Sequence, residues 1–305
     1  MARVLVAGGS GFLGRALVAA LLARGDRVTV LTRGEAGVKD GLPCQHYDPS
    51  DSGNAEFTEV YDAVFNLAGE QAVGVRYTDS VKDRILKSRV QSTDWLVQAM
   101  RRAEEKPRVF VCASGTGYYG STLDRRQADE SAPPGKDFLA LVCVAWEGAA
   151  QRAEPLGLRV VRARIAPVLS ERGGALEALL RPFKLFAGGP IGTGKQGFPW
   201  IHLDDLVAAL LRCCDHSELR GPVNVCAPGT VSNGELSKII GDLLGRPAFL
   251  KAPSFALKAL FGEGAEPLLG GQWPVPQELE RAGFEFRYAD VRSALTAVLR
   301  ASNER

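Results

Sequence analysis

The amino-acid sequence predicts an α/β protein with a doubly wound parallel β-sheet and a smaller, irregular C-terminal lobe. Two observations lead to this fold class. Short segments such as residues 3–7 and 108–113 are almost wholly apolar, which is typical of strands that are buried on both faces. Segments with helical periodicity separate these strands. Strands that alternate with helices usually form a parallel sheet that is covered on both sides.

Local signals define the elements of the first half of the chain. Residues 12–23 place apolar side chains on one face of a helix, and Gly25 follows as a stop signal. The longer segment 79–103 is also amphipathic, and Pro107 follows it. In chain order, the predicted elements are strand 3–7, helix 12–23, strand 27–31, strand 62–67, helix 79–103, strand 108–113, helix 138–153 and strand 159–165.

The pattern becomes less regular after about residue 170. Glycine and proline are frequent there, and only the helices at about 203–214 and 233–244 have clear periodicity. We therefore predict that residues 1–225 form the main domain, and that its part from about 170 contributes to the substrate side of a cleft. Residues 226–305 are predicted to form the small C-terminal lobe.

The composition argues against several classes of protein. The formal net charge is only +2, from 37 basic and 35 acidic residues, so neither nucleic acid nor a membrane is expected as a partner. No apolar run approaches the about 20 residues of a membrane span, and the chain enters its first strand without a signal peptide. The six cysteines and three histidines show no metal-binding or disulfide spacing, which indicates no metal and a reducing compartment, the cytoplasm or an organelle.

A glycine-rich turn joins the first strand to the first helix. It reads GGSGFLG, with glycines at positions 8, 11 and 14. One glycine allows a tight turn, one lets the backbone approach a pyrophosphate, and one lets the helix pack against the strand. Free N–H groups at the helix N-terminus, next to Phe12 and Leu13, then face the phosphates. In a strand–turn–helix context this motif predicts dinucleotide binding rather than a turn without a ligand.

The end of the second strand indicates which dinucleotide. An NAD site usually has an acidic side chain there, on the ribose 2′-hydroxyl. This chain has Thr32 and Arg33 instead, with Glu35 two residues further on. A guanidinium group suits a 2′-phosphate, so we predict NADP. The alternative is that Arg33 is an ordinary surface arginine.

Several longer motifs resemble one family. The chain is similar to the atypical "epimerase family" branch of the extended short-chain dehydrogenase/reductases, which are related to NAD-dependent epimerases and dehydratases. The motifs that carry the resemblance are NLAGE (66–70), SRVQST (88–93), GYYG (117–120), GGPIGTGKQGFPWIH (188–202) and LRGPVNVCAP (219–228). The segment from about 248, with LERAGFEF (279–286), resembles the C-terminal domain of that branch.

The resemblance implies that NADP(H) lies across the C-terminal ends of the strands and that residues 1–225 are its binding domain. Gly8, Gly11, Phe12 and Leu13 correspond to pyrophosphate contacts. The other corresponding cofactor contacts are Thr32 and Arg33 at the adenosine phosphate, Leu67, Ala68 and Glu70 toward the nicotinamide, Arg89 on the long helix, and Val168 after the fifth strand. For Arg89, the alternative is an ordinary position on a solvated helix face.

The chain departs from the superfamily at its proton relay. That chemistry normally uses a Tyr-x-x-x-Lys pair and a Ser or Thr, because the lysine lowers the pKa of the tyrosine and the phenolate moves the proton. Here the Tyr position is near Leu139, the Lys position is near Cys143, and the Ser position is Gly115. Ser114 is adjacent but is expected to point to the other side of its strand. Standard reductase or epimerase chemistry is therefore not expected.

Other polar residues could supply a proton donor. Tyr118 and His202 are the candidate catalytic residues, since both lie on segments expected near the cleft. We expect Asp204 or Asp205 to be the N-cap of the helix that follows. Two functions stay open: an oxidoreductase or epimerase-like enzyme acting on a small-molecule substrate, and a non-catalytic NADP(H)-binding sensor or regulatory protein.

Overall fold

The computed structural model describes residues 1–171 and 173–303. Its strands are β1 (Arg3–Ala7), β2 (Arg27–Thr32), β3 (Gly37–Lys39), β4 (Leu42–His46), β5 (Ala63–Asn66), β6 (Val109–Gly115), β7 (Gln127–Ala128), β8 (Arg159–Ile165), β9 (Val168–Leu169), β10 (Gly197–Phe198), β11 (Ile201–His202), β12 (Gly221–Val225), β13 (Val231–Ser232) and β14 (Trp273–Pro274). Its helices are α1 (Phe12–Ala23), α2 (Asp79–Arg102), α3 (Phe138–Gln151), α4 (Ala175–Lys184), α5 (Leu203–Asp215), α6 (Asn233–Leu244), α7 (Ser254–Phe261), α8 (Glu266–Leu269), α9 (Gln277–Arg281) and α10 (Val291–Asn303).

Eight strands form one sheet in the order β12-β8-β6-β5-β1-β2-β4-β3. All neighbours are parallel except the edge strand β3, which is antiparallel to β4. The predicted α/β fold with a parallel sheet is confirmed. The chain order reverses between β1 and β5, and ligands of open α/β sheets bind at such a switch point, outside the carboxyl ends of the strands.

Two parts of the sheet were not predicted. The β3–β4 hairpin and the edge strand β12 contain prolines and polar residues, which weaken a strand pattern in the sequence. Proline is tolerated in strands mainly at sheet edges, and β12 is such an edge. Its partner β8 aligns Val223 with Ala163.

Helices cover both faces of the sheet and bury two apolar cores. On one face, Leu17 of α1 and Leu206 of α5 pack against β1 and β8. On the other face, Trp95 and Leu96 of α2 pack with Trp146 of α3. A third core lies between α4, α6 and α10. Among the helices of the described residues, none has the length and apolar character needed to cross a membrane.

Candidate functional site

The carboxyl ends of β1 and β5 meet at the glycine turn. Gly8 has a φ of +78°, and a Cβ there would lie 2.7 Å from the carbonyl carbon of Leu67. A Cβ on Gly14 would lie 2.1 Å from the Gly8 oxygen. Both positions therefore require glycine. At Gly11 the backbone is extended, and a Cβ would still have 3.2 Å to the Gly8 oxygen. Packing thus requires glycine at positions 8 and 14, and it disfavours a side chain at Gly11 less strongly.

The N-terminus of α1 lies at the carboxyl ends of β1 and β5. We call the space outside these strand ends the crevice. Gly11 is its N-cap, and among residues 1–171 and 173–303 no side chain caps the helix. Its first-turn N–H groups and the positive end of its dipole can therefore serve an anion. Phe12 contacts the loop after β9, because a Cβ on Gly173 or Gly174 would lie 3.2 Å from its ring. The Val168 oxygen lies 2.8 Å from the same Gly174 position, so the structure brings Val168 and Phe12 to one side of the crevice.

Two cations approach the end of β2. Arg33 is exposed. Burial raises the pKa of Tyr47, and the nearby Arg33 guanidinium partly offsets that rise. Lys39 comes from the hairpin, and its Nζ lies 3.1 Å from the position of a Cβ on Gly34. The Thr32 hydroxyl accepts a hydrogen bond from the Gly34 N–H at 3.1 Å. The turn after β2 is thus closed by Thr32 and flanked by positive charge.

Helix α2 holds the loop after β5 in place. The buried Asn66 accepts a hydrogen bond from the Ala68 N–H at 3.1 Å and donates to Thr93 at 2.9 Å. The Glu70 N–H donates to the Ser88 hydroxyl at 3.1 Å. The loop therefore presents the backbone of Leu67 and Ala68 to the crevice in a fixed conformation.

Arg89 of α2 also holds the loop after β5. Its guanidinium group donates to the Glu70 and Ile85 carbonyl oxygens at 2.9 and 3.0 Å, and it lies 5.1 Å from the centre of the Trp146 ring. Burial lowers its pKa. Arg89 is half-buried and its guanidinium group is bound by these two carbonyl oxygens, so it is not a freely solvated side chain.

The corner between β6 and α3 keeps the superfamily's positions without its side chains. The Cys143 Sγ lies 3.7 Å from the Gly115 oxygen and 3.8 Å from the position of a Cβ on Gly115. Leu139 packs against Gly117. Burial raises the pKa of the Cys143 thiol to about 11, so at neutral pH this thiol is protonated and is a poor base or nucleophile.

A buried ion pair lies behind this corner. Arg164 of β8 and Glu147 of α3 are both almost fully buried and are 2.8 Å apart. The Ser114 hydroxyl donates a hydrogen bond to the Glu147 carboxylate at 2.8 Å, so Ser114 supports the buried ion pair. Arg164 also donates to the Tyr119 hydroxyl at 3.0 Å, and burial raises the Tyr119 pKa to about 12. Tyr119 is thus a neutral member of a structural network.

The two candidate donors have different surroundings. The Arg164 guanidinium carbon lies 3.5 Å from the centre of the Tyr118 ring, which is half-buried. His202 is buried, lies 4.0 Å from the centre of the Tyr288 ring, and has a pKa lowered by burial. Among the described residues, the ring contacts of Tyr118 and His202 share no residue.

His202 also has a structural role at the start of α5. The expected N-cap, Asp204 or Asp205, is wrong, because His202 itself caps α5 and its Nδ1 accepts from the Asp204 N–H at 3.1 Å. Histidine is an uncommon cap, so composition did not indicate it. Lys39, Asn66 and Ser88 were also missed. The only signals for them were a lysine in an unpredicted hairpin and polar residues inside the NLAGE and SRVQST motifs.

Comparisons with known proteins agree with this geometry. Residues 4–226 match the NAD dependent epimerase/dehydratase family, and residues 252–298 match a domain of unknown function, DUF1731. The chloroplastic epimerase family protein SDR39U1 homolog of Arabidopsis thaliana is 39% identical over 302 residues, covering 97% of this chain and 86% of that protein. Epimerase family protein ML0860 of Mycobacterium leprae is 40% identical over 297 residues, covering 96% and 94%.

A solved structure of a related protein has a similar fold over nearly the whole chain. The crystal structure of human epimerase family protein SDR39U1 (isoform 2) with NADPH superposes with a TM-score of 0.87 at 33% identity, covering 98% of this chain and 99% of that one. The matched family region spans the sheet, the glycine turn and the corner between β6 and α3. The chain therefore belongs to the NAD dependent epimerase/dehydratase family.

Proposed function

We propose that this protein binds NADP(H) rather than NAD(H) in the crevice between β1 and β5. The observation that carries the proposal is the pair of cations at the end of β2. Arg33 and Lys39 flank Gly34, where an NAD site would have a carboxylate. A 2′-phosphate adds negative charge at that point, and Arg and Lys are the side chains that bind phosphate.

The rest of the crevice fits a dinucleotide. Gly11 leaves room in front of the free N–H groups of α1, where Phe12 and Leu13 begin the helix. Toward the other end, the Leu67–Glu70 loop, Arg89 and Val168 would line the nicotinamide half. When bound, NADP(H) supplies a hydride. The human relative was crystallised with NADPH, which supports the same cofactor here.

The experiment is a pair of charge deletions with a matched control. Arg33→Ala and Lys39→Ala should each weaken NADPH binding and leave NADH binding almost unchanged. A charge-assisted hydrogen bond contributes about 1.5–3 kcal/mol, so the loss for Arg33→Ala is about tenfold or more. Arg27→Ala removes an exposed arginine from the opposite end of β2 and should change neither affinity. Isothermal titration calorimetry measures all three; equal losses for NADPH and NADH would refute the choice of NADP.

For activity, we propose an oxidoreductase or epimerase-like enzyme that acts on a small-molecule substrate, with Tyr118 as the proton donor. Tyr118 is preferred to His202, because His202 is buried and uses its Nδ1 to cap α5. The substrate side would be formed by the part of the main domain after about residue 170 and by the lobe of residues 226–305.

One observation favours a second function, a non-catalytic NADP(H) sensor. Leu139 and the protonated Cys143 occupy the positions of the proton relay, beside Gly115. A protein that only binds the cofactor needs no relay. The turnover experiment with Tyr118, described in the Discussion, separates the two functions.

A further inference from the structure

A cavity of about 270 Å³ opens between α4, α6 and α7. Its lining includes none of the residues that form the crevice at the sheet. The walls are apolar and come from three helices: Leu179 and Phe183 of α4, Leu236 and Ile240 of α6, and Leu257 of α7. Small-molecule pockets usually occupy about 300–1,000 Å³, so this cavity is of a size for one slender apolar group.

Two of the polar side chains in the lining form hydrogen bonds within the protein. The Asn233 side-chain oxygen accepts from the Ile191 N–H at 2.7 Å, and the Ser237 hydroxyl donates to the Asn233 carbonyl oxygen at 2.8 Å. Lys251 differs, because it lines the cavity and is exposed at its surface. The cavity thus combines an apolar interior with a cation at its mouth.

Basic residues are frequent around the mouth, although Glu235 and Asp242 also lie on α6; Glu235 accepts from Ser232, and Asp242 pairs with Arg292. Residues 178–196 and 243–262, which supply much of the lining, contain no Asp or Glu. Their basic residues are Arg181, Lys184, Lys195, Arg246, Lys251 and Lys258. Large apolar side chains beside lining residues are exposed as well, with Phe186 at 55% and Phe249 at 74%. An exposed apolar surface with cations marks an interaction site for an amphipathic anion.

We propose that this cavity binds a single-chain anionic amphiphile, a fatty carboxylate, with its hydrocarbon chain between α4 and α6 and its carboxylate at Lys251. The hydrocarbon chain would bury apolar surface against the leucines and Phe183, and the Lys251 ammonium group favours a negative head group. The proposal does not depend on the proposed cofactor, since the two sites share no residue.

The first experiment compares head groups on the unmodified protein. Dodecanoate and dodecyltrimethylammonium carry the same chain and opposite charges, and both are titrated below their micelle concentrations by calorimetry. Saturable binding of one dodecanoate per protein, at least about threefold tighter than the cationic probe, is expected. Equal affinities, or no saturable binding of dodecanoate, would overturn the proposal.

Two matched pairs of variants locate the site. Leu257→Trp should fill the cavity and abolish dodecanoate binding, whereas Ala256→Trp, on an exposed neighbour in α7, should not. Lys251→Glu should weaken binding about three- to tenfold, and Lys258→Glu should have a smaller effect. NADPH affinity and the melting temperature show that each variant is folded. If Leu257→Trp does not fold, the comparison of Lys251→Glu with Lys258→Glu still tests the proposed site. Equal effects of these two substitutions would contradict it.

A third arm distinguishes a free amphiphile from a bilayer. The protein is sedimented with vesicles of anionic phospholipid, with and without dodecanoate. We expect monomeric dodecanoate to bind in the absence of vesicles. If the protein sediments with the vesicles while dodecanoate neither binds nor competes, the face docks on a bilayer and the proposed single-chain site is wrong.

Discussion

Single side chains at the corner of β6 and α3 decide which proton chemistry is open to the protein. Leu139 offers no proton, and Cys143 holds its proton tightly because it is buried. Tyr118 is a polar side chain near this corner, with its ring on the Arg164 guanidinium group. The two proposed functions therefore differ in whether Tyr118 donates a proton to a substrate.

Tyr118→Phe should lower turnover by about 10²–10⁴, the usual contribution of a positioned acid or base. The assay incubates the protein and NADPH with a panel of carbonyl compounds and follows NADPH oxidation. His202→Gln is the comparison, and we expect it to affect stability more than turnover. Activity that survives the loss of both side chains would contradict the donor assignment. Tight NADPH binding without reduction of any compound would favour the sensor.

Cys143 predicts a loss of stability at high pH. Burial raises its pKa from 9.0 to about 11, so the folded state keeps the proton that the unfolded chain loses. The sign follows: the stabilisation is complete below pH 9 and declines as the pH rises toward 11. The slope for one such thiol is about 1.4 kcal/mol per pH unit. Urea unfolding of Cys143→Ala between pH 8 and 11 should show a shallower decline than the parent protein; parallel curves would contradict this.

At the scale of elements, the strand–turn–helix unit of β1 and α1 separates two uses of glycine. Gly14 is needed for packing, since a Cβ there would lie 2.1 Å from the Gly8 oxygen. Gly11 has an ordinary backbone conformation and a looser contact of 3.2 Å. Packing therefore disfavours a side chain at Gly11 less strongly than at Gly14, and access to the α1 N–H groups is a second reason for glycine there.

Substitutions in this turn should therefore have different effects. Gly11→Val should abolish NADPH binding while the protein stays folded, because the branched side chain occupies the approach to the α1 N–H groups. Gly14→Ala should lower the melting temperature, because the backbone must move apart. Calorimetry with NADPH and thermal unfolding measure the two effects. Normal NADPH binding by Gly11→Val would mean that the ligand lies elsewhere.

At the scale of the whole molecule, buried side chains of the main domain hold the C-terminal segment. The carboxylate of Asp205 accepts from the Arg287 and Tyr288 N–H groups, both at 2.9 Å. Asn224 donates to the Val275 carbonyl oxygen at 2.9 Å. Leu279 is buried in the same core as α1 and α5. The C-terminal residues are thus packed into the main domain.

Asp205→Ala should lower the free energy of unfolding by about 2–5 kcal/mol, because it leaves two backbone N–H groups of a partly buried segment without their acceptor. Asp204→Ala removes the neighbouring, exposed carboxylate, which pairs with the exposed Arg287 at 3.5 Å and lies 3.7 Å from the buried His202; its effect should stay within about 1 kcal/mol. Urea unfolding compares the two variants. Similar losses for both would contradict a role for Asp205 in holding the C-terminal segment.

The sequence alone determined the α/β class, most of the sheet and the glycine turn. These features depend on short-range patterns: the periodicity of apolar residues, and glycines at fixed spacing between a strand and a helix. The absence of the Tyr-x-x-x-Lys pair was also readable, because Leu139 and Cys143 are in a helix whose position in the chain was correct. The cofactor residues assigned from the resemblance stay predictions.

Only the tertiary structure decided which distant side chains meet. Lys39 reaches the end of β2 through a hairpin that has no clear strand pattern, and Arg89 is half-buried because the loop after β5 packs against it. His202 caps α5, and Asp205 binds residues 287 and 288, more than 80 positions away. These contacts join residues that are far apart in the sequence, and they depend on the tertiary fold. A local sequence pattern therefore does not predict them.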